Sequence, residues 1–369
     1  MNEINPASLA AQVAWGGFLL AFVFGFVGNR TDFCTMGAVS DVVNMGAWNR
    51  MRMWLLSIAV AIIGANALEV AGMIKLSNSI YQTPNFTWLS YLVGGALFGI
   101  GMTLGSGCGS KTLIRVGSGN LKSLVVLVFM AIAAYMTLRG LFSNFRLGVL
   151  GQVGVQLSTG QDLASLLAKW LGAERRAMEI ASTVAVTGAL LVFVFAKREF
   201  LRWETLLGGT VVGLVVVGGW YVSGRLGYLP EDPNTLREAW VATNTGRMES
   251  LSFVAPQAYL LELLMLWTDK SRIVTFGIAS ALGVIAGSAA YAIVSKTFRL
   301  ESFRDPADML RHIVGGILMG FGGVVALGCT IGQGITGFST LAVGSIVAFF
   351  AIIAGAAATM KFEYWLISR

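Results

Sequence analysis

Residues 93–108 read VGGALFGIGMTLGSGC, and residues 314–329 read VGGILMGFGGVVALGC. The two stretches are identical at 8 of 16 positions, each is uncharged, and each ends in Gly-Cys. Glycines at this spacing let helices pack closely in lipid, and such packing explains most of the glycines. It does not explain why both stretches end in Gly-Cys. A match of this kind within one chain predicts an internal repeat.

The whole chain is poor in charge. Of its 369 residues, 56% are hydrophobic and 12% are charged, and the mean hydropathy is +0.73, whereas a soluble domain carries roughly 25% charged residues. A helix needs about 20 apolar residues to cross a bilayer. No cleavable signal peptide is expected, because residues 1–11 contain no basic residue. The apolar stretches predict nine spans, near residues 12–28, 53–74, 88–106, 121–141, 177–196, 203–222, 273–295, 312–328 and 340–360.

The chain is expected to form a single integral membrane domain over residues 1–369, which the repeat divides into two halves. Residues 12–141 form the first half, residues 203–361 form the second, and residues 142–202 connect them with one span. Because five spans separate the two starts, the second half enters the membrane in the opposite sense. The expected fold is an all-α membrane protein with about nine transmembrane helices in two inverted, pseudo-twofold related halves, a plan common among secondary transporters.

The loops predict the orientation. Lys and Arg collect in alternate short loops, which are cytoplasmic by the positive-inside rule, so the N-terminus is expected outside and the C-terminus inside. The net charge of +7 is attributed largely to this bias, and nucleic acid is excluded as a partner. Two longer polar segments, residues 143–172 and 223–271, are expected at the membrane surface or outside it.

Cys34, Cys108 and Cys329 are the cysteines of this chain, and each follows or precedes Gly-rich, polar residues that predict a broken or re-entrant helix. Their odd number argues against a disulfide framework. The lack of a CxxC pair and the single histidine, His312, argue against zinc. Packing as small hydrophobic side chains is the alternative, but three cysteines beside three breaks favour function. Thr31 or Asp32 is expected to cap a short helix starting near Phe33, whose amides attract an anion toward Cys34.

Thiols at such breaks suit a transport path better than catalysis. A neutral S–H is a weak hydrogen-bond donor, which holds a large sulfur anion loosely enough for release. The expected path residues are Cys34, Cys108, Cys329, Gly107, Gly109, Gly328, Thr330, Gln333, Arg30 and Lys111. No catalytic residue, metal ligand or cofactor is predicted.

Several polar residues leave two interpretations open. Arg30 either pairs with Asp32 or attracts the anion, and Lys111 forms either a basic exit or a contact with lipid phosphates. Gln333 donates its amide either to substrate or to the backbone. Asn66 and Glu69, inside a predicted span, are expected to face a partner or a cavity, and Glu262 is expected at the interface. Aromatic belts at the membrane surface are predicted for Trp48, Trp54, Trp88, Tyr91, Trp203, Trp220, Tyr364 and Trp365.

The three cysteine segments resemble the YeeE/YedE sulfur-transport family. They read NRTDFCTMGAVSD, GIGMTLGSGCGSKTLIRVGSGN and GFGGVVALGCTIGQGITGFST, and the resemblance covers nearly the whole chain. It implies a bacterial inner-membrane protein with an hourglass shape, in which thiosulfate passes by S–H hydrogen bonds to Cys34, Cys108 and Cys329. It also implies the lipid bilayer as surroundings and a TusA-type sulfur-carrier protein as a partner.

Two alternatives to thiosulfate transport remain at this point. One is transport of another sulfur or selenium compound, because some relatives are connected with such solutes. The other is a membrane thiol enzyme, such as a sulfurtransferase or a quinone-linked oxidoreductase. One histidine and no close cysteine pair in the sequence argue against the enzyme.

Overall fold

The computed structural model describes residues 6–197, 200–232 and 235–368, and most of these residues are helical. In chain order the α-helices are α1 (Pro6–Arg30), α2 (Thr35–Ser40), α3 (Asn49–Val70), α4 (Trp88–Leu104), α5 (Gly109–Gly117), α6 (Leu121–Leu138), α7 (Ser143–Phe145), α8 (Leu163–Leu171), α9 (Arg175–Phe195), α10 (Trp203–Tyr221), α11 (Ala255–Met265), α12 (Phe276–Val294), α13 (Pro306–Val325) and α14 (Val343–Ile367). Two antiparallel strand pairs join β1 (Asn85–Phe86) to β2 (Val155–Gln156) and β3 (Tyr228–Leu229) to β4 (Ala239–Trp240). Wider π-helical turns cover Asp41–Met45, Arg146–Leu150, Val222–Leu226 and Gly332–Gly337.

Nine helices in the described ranges are long and apolar enough to cross a membrane. They are α1, α3, α4, α6, α9, α10, α12, α13 and α14, and they coincide with the nine predicted spans. Large apolar side chains such as Trp15, Val184 and Val192 point outward and are more than half exposed, as expected where lipid is the solvent. The prediction of an all-α membrane protein is therefore confirmed.

Glycines set the closest helix contacts. A methyl group on Gly287 of α12 would overlap the carbonyl oxygen of Phe22 in α1, and one on Gly99 of α4 would overlap that of Ile352 in α14. Missing side chains let these backbones touch, and the resulting dispersion contacts hold helices together where lipid offers no hydrophobic drive. Gly94, Gly95, Gly99 and Gly101 of the repeated stretch thus lie at helix–helix contacts.

The helix contacts are preserved when corresponding helices of the two halves are exchanged. In this correspondence α1, α3, α4 and α6 of the first half match α10, α12, α13 and α14 of the second. Helix α1 packs on α12 while α10 packs on α3, and α4 packs on α14 while α13 packs on α6. Helices α4 and α13, which carry the repeated stretch, also pack on each other. Such exchange is what the predicted repeat leads one to expect, and the inverted arrangement itself stays a prediction.

The segment 223–271 differs from its prediction. Leu251, Phe253 and Ala258 are fully buried, and α11 packs against α6. Pro256 occupies the first turn of α11, where its missing N–H is tolerated. This helix has 11 residues, too few to cross a bilayer, so it enters the domain as a half-helix instead of remaining outside.

The segment 143–172 is largely exposed except near α8. There the Leu163 N–H donates to the Leu341 carbonyl at 3.0 Å, and the Val343 N–H donates to the Gln161 carbonyl at 2.9 Å. These bonds attach the connecting segment to the start of α14.

Three of the aromatic residues predicted for membrane-surface belts are buried in the core. Trp54 is 1% exposed and stacks on Phe349 with ring centroids 4.7 Å apart. Trp220 is 0% exposed and donates from Nε1 to Ser339 Oγ at 3.0 Å, and Tyr91 is 2% exposed. The belt prediction was wrong for these three, because aromatic rings also fill the contacts between spans.

Polar residues inside the domain have protein partners. Asn66 donates to the Ser339 carbonyl at 3.0 Å, and Glu69 lies 3.7 Å from Arg175, as expected for polar groups in a span. Glu262 is also buried and pairs with Arg139 at 3.4 Å and Arg272 at 3.2 Å. Glu262 is therefore a buried ion-pair residue, and its place at the membrane interface stays a prediction.

Candidate functional site at the helix breaks

The first break separates α1 from α2. Asp32 adopts a left-handed conformation with φ of 50°, and Cys34 is extended with φ of −155° and ψ of 123°. The Cys34 Sγ accepts a hydrogen bond from the Gly37 N–H at 3.3 Å and so caps α2 itself. The predicted caps were therefore wrong. Thr31 Oγ1 instead donates back to the Val27 carbonyl at 2.8 Å.

The second and third breaks share one backbone geometry. After α4 the chain turns through Ser106, with φ of 57°, and after α13 it turns through Leu327, with φ of 59°. Cys108 then precedes α5, and Cys329 precedes a short helix over residues 330–339 that contains the Gly332–Gly337 π-helical turn. A left-handed leucine costs about 1–2 kcal/mol, so the surrounding contacts enforce this turn. The two halves of the sequence repeat thus end in the same type of break.

The three breaks meet inside the protein. The Cys108 thiol lies close to the Cys34 thiol and to the Thr330 hydroxyl, and Cys329 lies within electrostatic range of Cys108. We call Cys34, Cys108 and Cys329 the thiol cluster. Cys34 is 6% exposed, whereas the other two are fully buried, so this cluster is closed to solvent at its Cys329 end.

A fourth segment, which the sequence analysis assigned to the surface, completes the cluster. The Phe253 N–H donates to Cys329 Sγ at 3.3 Å, as does the Gly332 N–H. The Phe253 ring lies 5.5 Å from that of Phe24 in α1. One signal could have identified this segment: in the second half, residues 223–271 occupy the place that the Cys34 break holds in the first, and Pro256 marks a helix start there.

Buried polar atoms without a partner surround the thiols. Thr35 Oγ1, Thr330 Oγ1 and Gln333 Oε1 are inaccessible and make no hydrogen bond. An unsatisfied buried polar group costs about 1–3 kcal/mol. A polar solute that passes the thiol cluster would form hydrogen bonds with these three atoms and so remove this cost transiently. Gln333 Nε2, by contrast, donates to the Ala326 carbonyl, so its amide nitrogen serves the backbone.

The basic residues near the cluster are partly neutralised. Lys111 is buried and pairs with Asp32, whose other oxygen lies 3.0 Å from Arg50. Arg115 donates to the Ser106 carbonyl at 2.6 Å. Arg30 is exposed at the end of α1. Asp32 thus pairs with Lys111 and Arg50 and not with Arg30, which was one of the two interpretations of Arg30. Lys111 is held by a carboxylate.

The predicted glycines differ in what they touch. A side chain on Gly109 would lie 3.1 Å from the Phe253 carbonyl oxygen, and one on Gly328 would lie 3.2 Å from the Gln333 side chain. At Gly107 the nearest atoms, those of Lys111, would lie at an ordinary 3.5 Å. A side chain at Gly109 would therefore crowd the Phe253 segment, and one at Gly328 would crowd its own break, whereas Gly107 has more room.

The arrangement offers hydrogen-bond donors and acceptors in a closed interior. Among the described residues, no group of three His, Cys, Asp or Glu side chains is placed to hold a metal ion. Contacts of this kind suit reversible binding of a polar, polarizable solute.

Two known proteins are similar to this chain over most of its length. The thiosulfate transporter TsuA of Escherichia coli K12 is 27% identical over 337 residues, which cover 86% of each chain. The thiosulfate transporter TsuA of Spirochaeta thermophila is 26% identical over 360 residues, which cover 92% of this chain and 96% of the relative. Both are named as transporters and neither as an enzyme, in agreement with the expectation for this chain.

The family comparison covers the helix breaks directly. A sequence model of the sulphur transport family matches residues 30–358. This range contains Cys34, Cys108 and Cys329 with the backbone that brings them together. The chain therefore belongs to the sulphur transport family, known as YeeE/YedE, of multi-pass membrane transport proteins.

Proposed function

We propose that this protein takes up thiosulfate across the bacterial inner membrane along the thiol cluster. The observation that carries the proposal is that three helix breaks, each with a cysteine, meet in a buried region. In this region Thr330 Oγ1 and Gln333 Oε1 make no hydrogen bond. The names of the two relatives support thiosulfate as the substrate.

The chemistry of the anion fits weak thiol donors. The terminal sulfur of thiosulfate is large and polarizable, and its charge is spread over sulfur and oxygen atoms. A short series of S–H donors would hold it at several weak sites, and conduction requires binding that is weak enough to release the solute. The anion would pass from Cys329 to Cys108 and then to Cys34, since these thiols succeed one another in the fold.

The polar neighbours would assist in distinct ways. The Thr330 hydroxyl and the exposed Arg30 would each offer a contact to the anion, Thr330 beside Cys108 and Arg30 at the end of α1. Lys111 would supply a positive charge that Asp32 partly neutralises. A dianion would therefore be attracted but still be released. Gly107, Gly109 and Gly328 would keep the backbone close to the path.

The expected orientation places Cys329 toward the periplasm and Cys34 toward the cytoplasm. The exchange of helix partners between the halves supports an inverted repeat, and the basic short loops support a cytoplasmic C-terminus. A TusA-type carrier protein is proposed as the cytoplasmic partner that receives the sulfur, on the resemblance to the family.

Uptake of radiolabelled thiosulfate into proteoliposomes tests the proposal. Cys34→Ala, Cys108→Ala and Cys329→Ala should each lower uptake by about five- to twelvefold, as expected when a hydrogen bond of roughly 1–1.5 kcal/mol is lost at a limiting step. Excess sulfate should compete poorly.

Ser57→Ala is the matched control, because Ser57 is equally buried and bonds only to the Trp54 carbonyl of its own helix. A cysteine variant with unchanged uptake would lie off the path. Absence of uptake by well-folded wild type would reject thiosulfate and direct the test to other sulfur or selenium anions.

A further inference from the structure

A cavity of about 120 Å³ lies beside the Cys329 break. Its wall includes Gly328, which precedes Cys329, and Ser252, which precedes Phe253. Tyr81 also lines it and lies within electrostatic range of the Cys329 thiol. The cavity therefore adjoins the end of the thiol cluster that is closed to solvent.

Glu249, from the segment 223–271, is the acidic residue among those that line this cavity. Its carboxylate lies near the Asn244 and Gly277 backbone N–H groups. Its Oε1 is inaccessible to solvent and makes no hydrogen bond. Glu262 in the same segment is held by two arginines, whereas the described residues provide Glu249 with no ion pair. One carboxyl oxygen is thus left for another partner.

The surroundings of Glu249 favour its neutral form. The titratable or charged groups that face it are Tyr81 before α4, Tyr259 on α11 and Arg146 after α7. The Arg146 guanidinium donates to the Thr137 carbonyl at 3.0 Å and to the Leu138 carbonyl at 3.4 Å, so it is committed to the end of α6. Burial raises the pKa of the Glu249 carboxyl to about 8.

We propose that Glu249 is an anion-binding residue of this cavity that acts only when it carries a proton. The protonated carboxyl donates its O–H to an oxygen of the anion next to Cys329. The ionised carboxylate repels the same dianion at close range in a region of low dielectric. One proton and one anion are therefore bound together, and this inference rests on thiosulfate transport as the proposed function.

The pH dependence follows from this linkage. A raised pKa means that the neutral form dominates below about pH 8 and is lost as the pH rises above it. The wild-type KM for thiosulfate should be flat at neutral pH and should rise by about tenfold for each pH unit above pH 8. Thiosulfate itself remains a dianion over this whole range.

The experiment measures the uptake KM in proteoliposomes at external pH 7 to 9.5 with a fixed internal pH. Glu249→Gln keeps an N–H donor without a titratable proton, so its KM should stay close to the neutral-pH wild-type value across the range. Glu238→Gln, which changes an exposed carboxylate, should leave the wild-type pH profile unchanged.

Each result separates the two hypotheses. If Glu249→Gln shows the same rise in KM as wild type, the titrating group is elsewhere, for example a thiol, and the role of Glu249 is overturned while thiosulfate transport stands. Loss of uptake in a well-folded Glu249→Gln protein would likewise overturn the requirement for a neutral donor. Absence of uptake by wild type would overturn thiosulfate transport and with it this inference.

Discussion

Thr330 follows Cys329 in sequence, yet its hydroxyl lies close to Cys108 from the other half of the protein. The hydroxyl oxygen has no hydrogen-bond partner, although the residue is fully buried. Removing such a group relieves a desolvation cost instead of creating one. At the residue scale, the loss of function and the loss of stability can therefore be separated at this position.

Thr330→Val should lower thiosulfate uptake by about tenfold, because one contact to the passing anion is lost. The free energy of unfolding should stay unchanged or rise by up to about 1 kcal/mol, because valine has the same shape and no unsatisfied hydroxyl. Proteoliposome uptake and thermal unfolding in detergent measure the two effects.

Thr137→Val is the control for this substitution. Thr137 is also fully buried, but its hydroxyl donates to the Ala133 carbonyl of its own helix at 2.7 Å. Its replacement should leave uptake unchanged and lower stability slightly. Normal uptake by Thr330→Val would exclude the hydroxyl from the transport path.

At the scale of helices, backbone contact through glycine holds the two halves together. Helix α1 of the first half meets α12 of the second at Gly283 and Gly287, where added methyl groups would overlap the Phe18 and Phe22 carbonyl oxygens. Backbone atoms cannot move aside as a flexible side chain does. The helices would have to separate along their whole contact.

Gly287→Ala should therefore destabilise the protein by about 1–3 kcal/mol, the usual cost of overpacking a close contact. The expected result is a clearly lower midpoint of thermal unfolding in detergent, followed by size-exclusion chromatography. Gly188→Ala in α9 is the matched control, since an added methyl group there meets no atom within 4 Å. A midpoint for Gly287→Ala equal to that of Gly188→Ala would contradict this account of the α1–α12 contact.

For the whole molecule, the basic short loops predict which side faces the cytoplasm. The segment with β2 and the C-terminal end of α14 are then on opposite sides of the membrane. Gln156 in β2 and Ser368 after α14 are both exposed, so each suits a cysteine probe. The native cysteines are buried, which allows the probes to be added to the unchanged protein.

Intact cells treated with a membrane-impermeant maleimide should label Gln156→Cys, while Ser368→Cys should react only after the membrane is permeabilised. Wild type measures any labelling of the native thiols. The reverse pattern would place the N-terminus in the cytoplasm and would invert the proposed direction of the path.

The amino-acid sequence by itself determined the nine spans, because an apolar window crosses a bilayer whatever its neighbours are. It also determined that Cys34, Cys108 and Cys329 lie at helix breaks, since glycine and polar residues interrupt a helix locally. Only the tertiary structure decided that these breaks meet, that Lys111 pairs with Asp32, and that Phe253 contacts Cys329. Such contacts join residues far apart in the chain, and local composition, the basis of the sequence predictions, contains no information about distant partners. For the same reason Trp54, Tyr91 and Trp220 resembled surface aromatics in sequence but fill the core, where the packing of other helices encloses them.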